Sequence, residues 1–123
     1  MIEQCIRNIL LQGTGLNATP SFTLGPYPAI AYKHTPISGG HIKQSQIEVR
    51  IIGDGYDKLL TIKQKVLDIL DQEEDSPFLR ADNIYYHSEL AGGGDLFNDQ
   101  IQMWECVSLF IITWRYINDS EKK

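Results

Sequence analysis

The chain has 123 residues, of which 42% are hydrophobic and 22% are charged, and its formal net charge is −5. These values predict one globular domain and exclude an intrinsically disordered chain. Phosphate groups and anionic membranes both attract a surplus of lysine and arginine. The acidic balance therefore argues against a nucleic-acid binder and against a membrane-docking protein.

The N-terminal segment predicts a short amphipathic helix over residues 2–11. Five apolar side chains fall on one stripe of that helix: Ile2, Cys5, Ile6, Ile9 and Leu10. The segment lacks the basic start and the apolar run of a signal peptide, so we expect the chain to fold in a reducing cytoplasm. Cys5 and the distant Cys106 each lie in an apolar periodic segment outside any CxxC pair, which favours buried thiols over a single disulfide.

The middle of the chain predicts two strands and a second helix. Residues 16–25 are polar and rich in turn formers, which indicates a loop. A strand bounded by prolines is predicted over 26–34, and a second over 45–51, where apolar and polar residues alternate. An amphipathic helix is predicted over 56–72 with Asp54 as its N-cap, and its wide apolar face indicates packing against a sheet.

The C-terminal third predicts two more strands and a tail. Strands at about 83–89 and 102–117 are joined by a glycine-rich segment that reads as a flexible hairpin tip. The last strand is rich in valine, isoleucine and aromatic residues, so its middle is expected to be covered on both sides. The order α-β-β-α-β-β predicts a single α+β domain over residues 1–117, an antiparallel sheet of about four strands with two helices packed on it, and a flexible tail at 118–123.

No stretch of the sequence carries a specific catalytic or metal-binding motif. The three glycines at 92–94 lack the following lysine of a phosphate-binding loop, and residues 71–82 lack the glycine and the closing glutamate of a calcium loop. His34, His41 and His87 have no spacing typical of zinc ligands and are expected on the surface or in loops. Since no serine lies in a nucleophile-elbow pattern, we predict no enzyme, no cofactor and no metal site.

The loops and the aromatic residues favour protein–protein contact. Two glycine-containing loops, at 33–45 and 91–99, are longer than tight hairpins require, and long loops are usually functional. The candidate contact residues in these loops are Lys33, His34, Gly39, Gly40, His41, Lys43, Gly92, Gly93, Gly94, Asp95 and Phe97. Large aromatic side chains are also numerous, and they either lie at an interface or cover the sheet.

Four stretches, in a fixed order, carry a family resemblance. A short N-terminal helix is followed by Pro-Ala-Ile-Ala-Tyr at 28–32 and by Ile-Glu-Val-Arg-Ile-Ile-Gly at 47–53. A helix then begins Gly-Tyr-Asp-Lys-Leu-Leu at 55–60, and the last strand ends Phe-Ile-Ile-Thr-Trp-Arg-Tyr at 110–116. In this order and pattern the chain resembles the tail-terminator and tail-completion proteins, also called minor capsid proteins, of long-tailed bacteriophages and prophages.

The resemblance implies a non-enzymatic structural protein of the virion tail or neck, folded in the host bacterial cytoplasm. Such a protein would form a closed, six-fold ring that caps the tail tube, stops its growth and joins it to the head. Its partners would be copies of itself, the tail-tube protein and a head-completion or connector protein. The resemblance brings no catalytic residues.

Three other interpretations stay open. One is another neck or head-completion component of the same particle. The second is a small-molecule-binding or enzymatic α+β domain, which needs a deep apolar pocket with convergent polar groups. The third is a bacterial adaptor unrelated to viruses.

Overall fold

A computed structural model describes residues 2–20, 26–81 and 83–117 as two helices packed on a six-stranded sheet. The helices are α1 (Ile2–Thr14) and α2 (Tyr56–Leu70). The strands are β1 (Ala18–Pro20), β2 (Ala29–Ser38), β3 (Lys43–Gly53), β4 (Leu79–Ala81), β5 (Ile84–Asn98) and β6 (Met103–Tyr116). Their order across the sheet is β1-β2-β3-β6-β5-β4, and every neighbouring pair except β1–β2 is antiparallel. The tail predicted at 118–123 lies outside the described residues.

The predicted fold class, an antiparallel sheet of about four strands in the order α-β-β-α-β-β, is wrong. The sheet has six strands and is mixed, because β1 pairs in parallel with Ile30–Tyr32 of β2. The other additional strand, β4, pairs with Ile84–Tyr86 of β5. Both are three residues long, which is too short for the alternation of apolar and polar residues that reveals a strand in a sequence. β1 falls inside the predicted loop at 16–25, of which 21–25 lie outside the described residues.

The glycine-rich segment predicted as a flexible hairpin tip is part of strand β5. Residues 92–94 pair with β6, and a bulge between Leu90 and Gly92 absorbs one residue. Pairing against the long apolar β6 overrides the low strand propensity of glycine. The predicted loop at 33–45 is also mostly strand, because β2 and β3 pair down to a tip at 39–42.

Both helices differ from the prediction at their ends. α1 extends beyond residue 11 to Thr14 because it packs closely on α2: a side chain at Gly13 would overlap Ile69. α2 ends at Leu70 and begins after Gly55, an N-cap residue without a side-chain cap hydrogen bond. The N-cap predicted at Asp54 is therefore not formed.

The core lies between the two helices and one face of the sheet. Its fully buried side chains include Ile6 and Leu10 of α1, Leu59, Val66 and Leu70 of α2, and Ile47, Val49, Ile51, Phe110 and Ile112 of the central strands. Each such side chain contributes about 1.5–3 kcal/mol by its removal from water. Cys5 and Cys106 are buried and are not joined in a disulfide, and burial raises the pKa of Cys106 to about 11.

The opposite face of the sheet is covered by no helix in the described part of the chain. Along β6, Val107, Leu109 and Ile111 point to this face and are half-buried. They form an apolar stripe next to Glu48 and Arg50 of β3, which pair in register with Leu109 and Val107. The middle of β6 is therefore fully buried on the helix side and only half-buried on the opposite face.

Candidate functional site: two sheet edges and a buried polar network

On one side of the sheet the short β1 covers only the first half of β2, and the second half of β2 is an open edge. Because β1 pairs with Ile30–Tyr32, residues 33–38 have β3 as their single strand neighbour among the described residues. Pro36 lies in this open stretch and has no N–H to donate, and a bulge follows it. Proline and bulges restrict the strands that can add to an edge.

We call residues 33–43 the basic edge, because the sequence has no aspartate or glutamate between Glu3 and Glu48. It contains the predicted contact residues Lys33, His34, Gly39, Gly40, His41 and Lys43. Near its tip, Ile37 and Ile42 are 53% and 56% exposed. Large exposed apolar side chains grouped in this way are typical of an interaction surface.

On the opposite side of the sheet, β5 forms a second open edge. β4 covers Ile84–Tyr86. Asp71 and Gln72 cover the next stretch. The backbone N–H of Ser88 donates to Gln72 Oε1 at 2.6 Å, and the backbone N–H of Leu90 donates to Asp71 Oδ1 at 3.0 Å. Beyond that point, residues 91–98 have β6 as their single strand neighbour within the described ranges.

We call residues 71–99 the acidic edge, because they include eight aspartates and glutamates, one arginine and no lysine. It contains the predicted contact residues Gly92, Gly93, Gly94, Asp95 and Phe97. The segments along the two sides of the sheet therefore carry opposite charge, and within the open stretch 91–98 the single acidic residue is Asp95.

Asp95 and Phe97 are both engaged within the molecule. The Tyr56 hydroxyl donates to Asp95 Oδ2 at 2.8 Å, and Lys63 Nζ lies 3.3 Å from Asp95 Oδ1. The hydrogen bond from Tyr56, assisted by Lys63, lowers the pKa of Asp95. Phe97 packs edge-on against Trp104 at 5.3 Å between ring centroids and is 41% exposed. The Asp95 contacts join β5 to α2, the Phe97 contact joins β5 to β6, and part of the Phe97 ring stays exposed.

The three glycines of β5 differ in what the fold requires of them. Gly93 has φ +150°, and a Cβ there would overlap the carbonyl oxygen of Val107, so this position needs glycine. Gly92 and Gly94 have open space at the Cβ position and no positive φ. They pair with Leu109 and Val107, which places them on the face without helices.

A chain of hydrogen bonds joins α1 to the sheet. Glu3 Oε1 lies 3.1 Å from His34 Nδ1, His34 Nε2 lies 2.7 Å from Ser45 Oγ, and Trp114 Nε1–H donates to Ser45 Oγ at 3.1 Å. Since Ser45 Oγ already accepts from Trp114, its hydroxyl is free to donate to Nε2 of a neutral His34, whose Nδ1–H then donates to Glu3. Ser45 is 2% exposed.

This network has the geometry of a serine–histidine–glutamate triad and lies beside a cavity of about 390 Å³. Apolar side chains, Pro36, Ile37 and Tyr116, line much of the cavity. Sequence reasoning missed the network because its members are far apart and no local motif surrounds Ser45. The one available signal was that His34 and Ser45 lie at the two ends of the predicted loop between the first two strands.

The other two histidines lie apart from this network. His41 is exposed at the tip of the basic edge. His87 Nε2 lies 2.8 Å from the Glu73 carbonyl oxygen, and its ring packs against Phe78 at 5.8 Å between centroids. In the part of the chain that the structure describes, no three histidine, cysteine, aspartate or glutamate side chains group as a metal site.

The large aromatic residues divide between the two roles that the sequence left open. Tyr32, Tyr86 and Trp114 are buried and cover the sheet. Tyr27 and Tyr116 are 37% and 40% exposed. The exposed aromatic side chains therefore do not form a single patch, and of these two Tyr116 lies beside the basic edge.

Comparison with known proteins identifies no family for this chain. No protein-family model matches it, and no curated protein matches its sequence. None of the described helices is long and apolar enough to cross a membrane.

Proposed function

We propose that this protein is a non-enzymatic structural component of a bacteriophage or prophage tail, which assembles into a ring that caps the tail tube and joins it to the head. One observation carries the proposal: the segments that run along the two open sides of a single sheet carry opposite charge. The sequence resemblance to tail-terminator proteins supports the same function.

The strand directions favour head-to-tail assembly. β2, β3, β6 and β5 are successive antiparallel neighbours, so β2 and β5 run in opposite directions. If the acidic edge of one copy meets the basic edge of the next, the two strands pair antiparallel and continue the sheet. Each copy then uses two different surfaces, and such heterologous contacts close into a ring when the rotation between copies permits. Opposite charges steer this encounter.

The open stretches lie at opposite ends of the sheet. Residues 33–38 of β2 lie level with about residues 109–114 of β6, whereas residues 91–98 of β5 lie level with about 103–109. Neighbouring copies must therefore shift by about six residues, or about 20 Å at about 3.3 Å per residue. This stagger, together with Pro36 and the bulge after it, restricts the registers in which the two edges can pair. We infer that isolated copies stay apart until the end of a tail tube aligns them.

Electron microscopy of the purified protein mixed with tail tubes tests the proposal. We expect extra density at one terminus of each tube, and light scattering should detect a larger oligomer in the presence of tail-tube protein. High salt should weaken this oligomer because its edges attract through charge. Decoration along the tube wall, or no binding, would contradict the proposal.

The same mixture separates a terminator from another neck component. A terminator binds the end of a bare tube, whereas a head-completion protein binds the connector of a tailless head. Incubation with each particle separately, followed by microscopy, assigns the protein to one of them.

A second candidate function is ester hydrolysis by Ser45, His34 and Glu3, which the triad geometry and the adjoining cavity favour. It ranks lower because Ser45 lies on a central strand, is 2% exposed and already accepts a hydrogen bond from Trp114. A fluorophosphonate probe tests it. Labelling that Ser45→Ala abolishes and Ser88→Ala preserves would establish hydrolase chemistry, and an unlabelled native protein would rule it out.

A further inference from the structure

A cavity of about 550 Å³ lies on the helix side of the sheet, at the end bordered by β4. Residues of α1, α2 and β4 line it, together with Tyr86 of β5. Its volume is in the range of small-molecule binding sites. Its lining among the described residues includes none of the open stretches 33–38 and 91–98, so the cavity is separate from the surfaces assigned to ring assembly.

Tyr86 brings an unpaired hydroxyl group to this cavity. The residue is 6% exposed, and its hydroxyl has no hydrogen-bond partner within the described ranges. The oxygen is not sealed from solvent, so it opens on the cavity that Tyr86 lines. A buried polar group without a partner costs stability, so the fold of the chain alone does not account for this hydroxyl.

Gln72 presents a fixed hydrogen-bond donor to the same cavity. Its Oε1 accepts from the backbone N–H of Ser88 at 2.6 Å, and its backbone N–H donates to the Ser88 carbonyl oxygen at 2.9 Å. Since Oε1 must face Ser88, the direction of the amide is fixed, and Nε2 has no partner in the described part of the chain. Ser88 and Tyr86 are successive residues on one face of β5, which places the anchored amide and the Tyr86 side chain at neighbouring positions.

The rest of the wall combines hydrogen-bonding and apolar groups. Gln12 of α1 adds a second amide, and Asp68 of α2 adds a carboxylate whose Oδ1 accepts from Gln64 at 2.9 Å. Arg80 is the one basic residue in the described lining and balances the charge of Asp68. The apolar part of the wall consists of Ile9, Ile69, Leu79 and Ala81.

We propose that this cavity binds an uncharged molecule with several neighbouring hydroxyl groups, namely a saccharide unit. Each hydroxyl of such a ligand both donates and accepts hydrogen bonds. The amide of Gln72 and the hydroxyl of Tyr86 can donate to it, and the carboxylate of Asp68 can accept from it. The apolar part of the wall fits the C–H face of a sugar ring. A carboxylate or phosphate ligand would be repelled by Asp68, and a purely apolar one would leave the hydroxyl and the amide unpaired. The site does not depend on ring assembly.

NMR titration of the isotope-labelled full chain tests the site with glucose, galactose and N-acetylglucosamine as probes. We expect at least one of these sugars to shift the amide signals of Gln12, Gln72 and residues 79–81, with a dissociation constant of about 1–10 mM. Cyclohexanol has a six-membered ring with a single hydroxyl and is the matched control, which should bind at least about fivefold more weakly. No shift with any of the three sugars, or cyclohexanol binding as tightly as they do, would overturn the proposal.

Two substitutions test the hydrogen-bonding groups themselves. Tyr86→Phe removes the unpaired hydroxyl, so it should keep or raise the melting temperature while it weakens sugar binding by about two- to tenfold. Gln72→Glu keeps the acceptor for Ser88 and replaces the donor by a carboxylate oxygen, so it should weaken binding at least about threefold. Tyr32→Phe and Gln46→Glu are the matched controls, because Tyr32 is 5% exposed, Gln46 is half-buried, and neither lines the cavity. If neither Tyr86→Phe nor Gln72→Glu changes the affinity, the sugar does not use these groups and the proposed site is wrong.

Discussion

Replacing Ser45 by alanine is expected to destabilise the protein, whereas the same change at Ser88 is not. The two serines flank Ile112 from neighbouring strands and are 2% and 0% exposed. Ser45 Oγ contacts His34 and Trp114, whereas Ser88 Oγ has no hydrogen-bond partner among the described residues. Burial and residue type are therefore matched, and the hydrogen bonds differ.

The magnitude follows from the groups that lose a partner. Ser45→Ala leaves the N–H of Trp114, a side chain 5% exposed, without an acceptor, which costs about 1–3 kcal/mol. His34 loses its Nε2 contact, but its side chain is 12% exposed and recovers part of the loss from water. We expect about 2–4 kcal/mol in total, a large share of the about 5–15 kcal/mol of a typical domain. Ser88→Ala removes an unpaired buried hydroxyl and should be neutral or stabilising by about 1 kcal/mol.

Urea unfolding followed by circular dichroism measures both variants. With a slope of about 1–3 kcal/mol per molar, the Ser45→Ala midpoint should fall by about 1–2 M while the slope stays unchanged. The Ser88→Ala midpoint should stay level or rise. Equal losses at the two positions, or no loss at Ser45, would refute the view that the network stabilises the contact between α1 and the sheet.

Three further predictions concern β5 and β6. The lowered pKa of Asp95 implies stability that is present above the ordinary aspartate range and lost as the pH falls through that lowered pKa. Asp95→Asn should therefore make the melting temperature depend less on pH below about pH 4, and should leave the pH dependence near pH 7 unchanged. Cys106, with its pKa raised to about 11, should react with a thiol reagent at pH 8 only after denaturant unfolds the chain, and rapid reaction in the native state would contradict its burial. Gly93→Ala should cost about 1–3 kcal/mol because of its positive φ and the Val107 carbonyl, whereas Gly92→Ala should be neutral or slightly stabilising in the same thermal melt.

The elements with the strongest periodic patterns are the ones that the structure confirms. The helix predicted at 56–72 and the alternating strand at 45–51 correspond to α2 and β3, because a long repeat of buried positions leaves a clear pattern in the sequence. β1 and β4 leave no such pattern at three residues each, and pairing with β2 and β5 defines them. The glycines of β5 mislead for the same reason, since their strand conformation depends on β6 and not on their own propensity.

The candidate site depends still more on tertiary structure. Glu3, His34 and Ser45 meet because α1 lies against the β2–β3 hairpin, and no sequence spacing encodes that contact. The charge distribution was visible in the sequence, as a segment without acidic residues followed by an acidic one. Only the strand order assigns these segments to opposite edges of one sheet.

The sign of the charge on each edge also limits the assemblies that the edges can form. Open strand edges tend to pair without selectivity, which leads to symmetric dimers or aggregates. Here β2 against β2 would bring two basic edges together, and β5 against β5 would bring together the acidic residues at 71–75 beside its open stretch, so charge disfavours both two-fold contacts. Pairing of β2 with β5 remains. After each addition, the assembly still has one free basic edge and one free acidic edge. Under the proposed function this growth stops when the last copy meets the first, which requires that the rotation between neighbouring copies closes a ring.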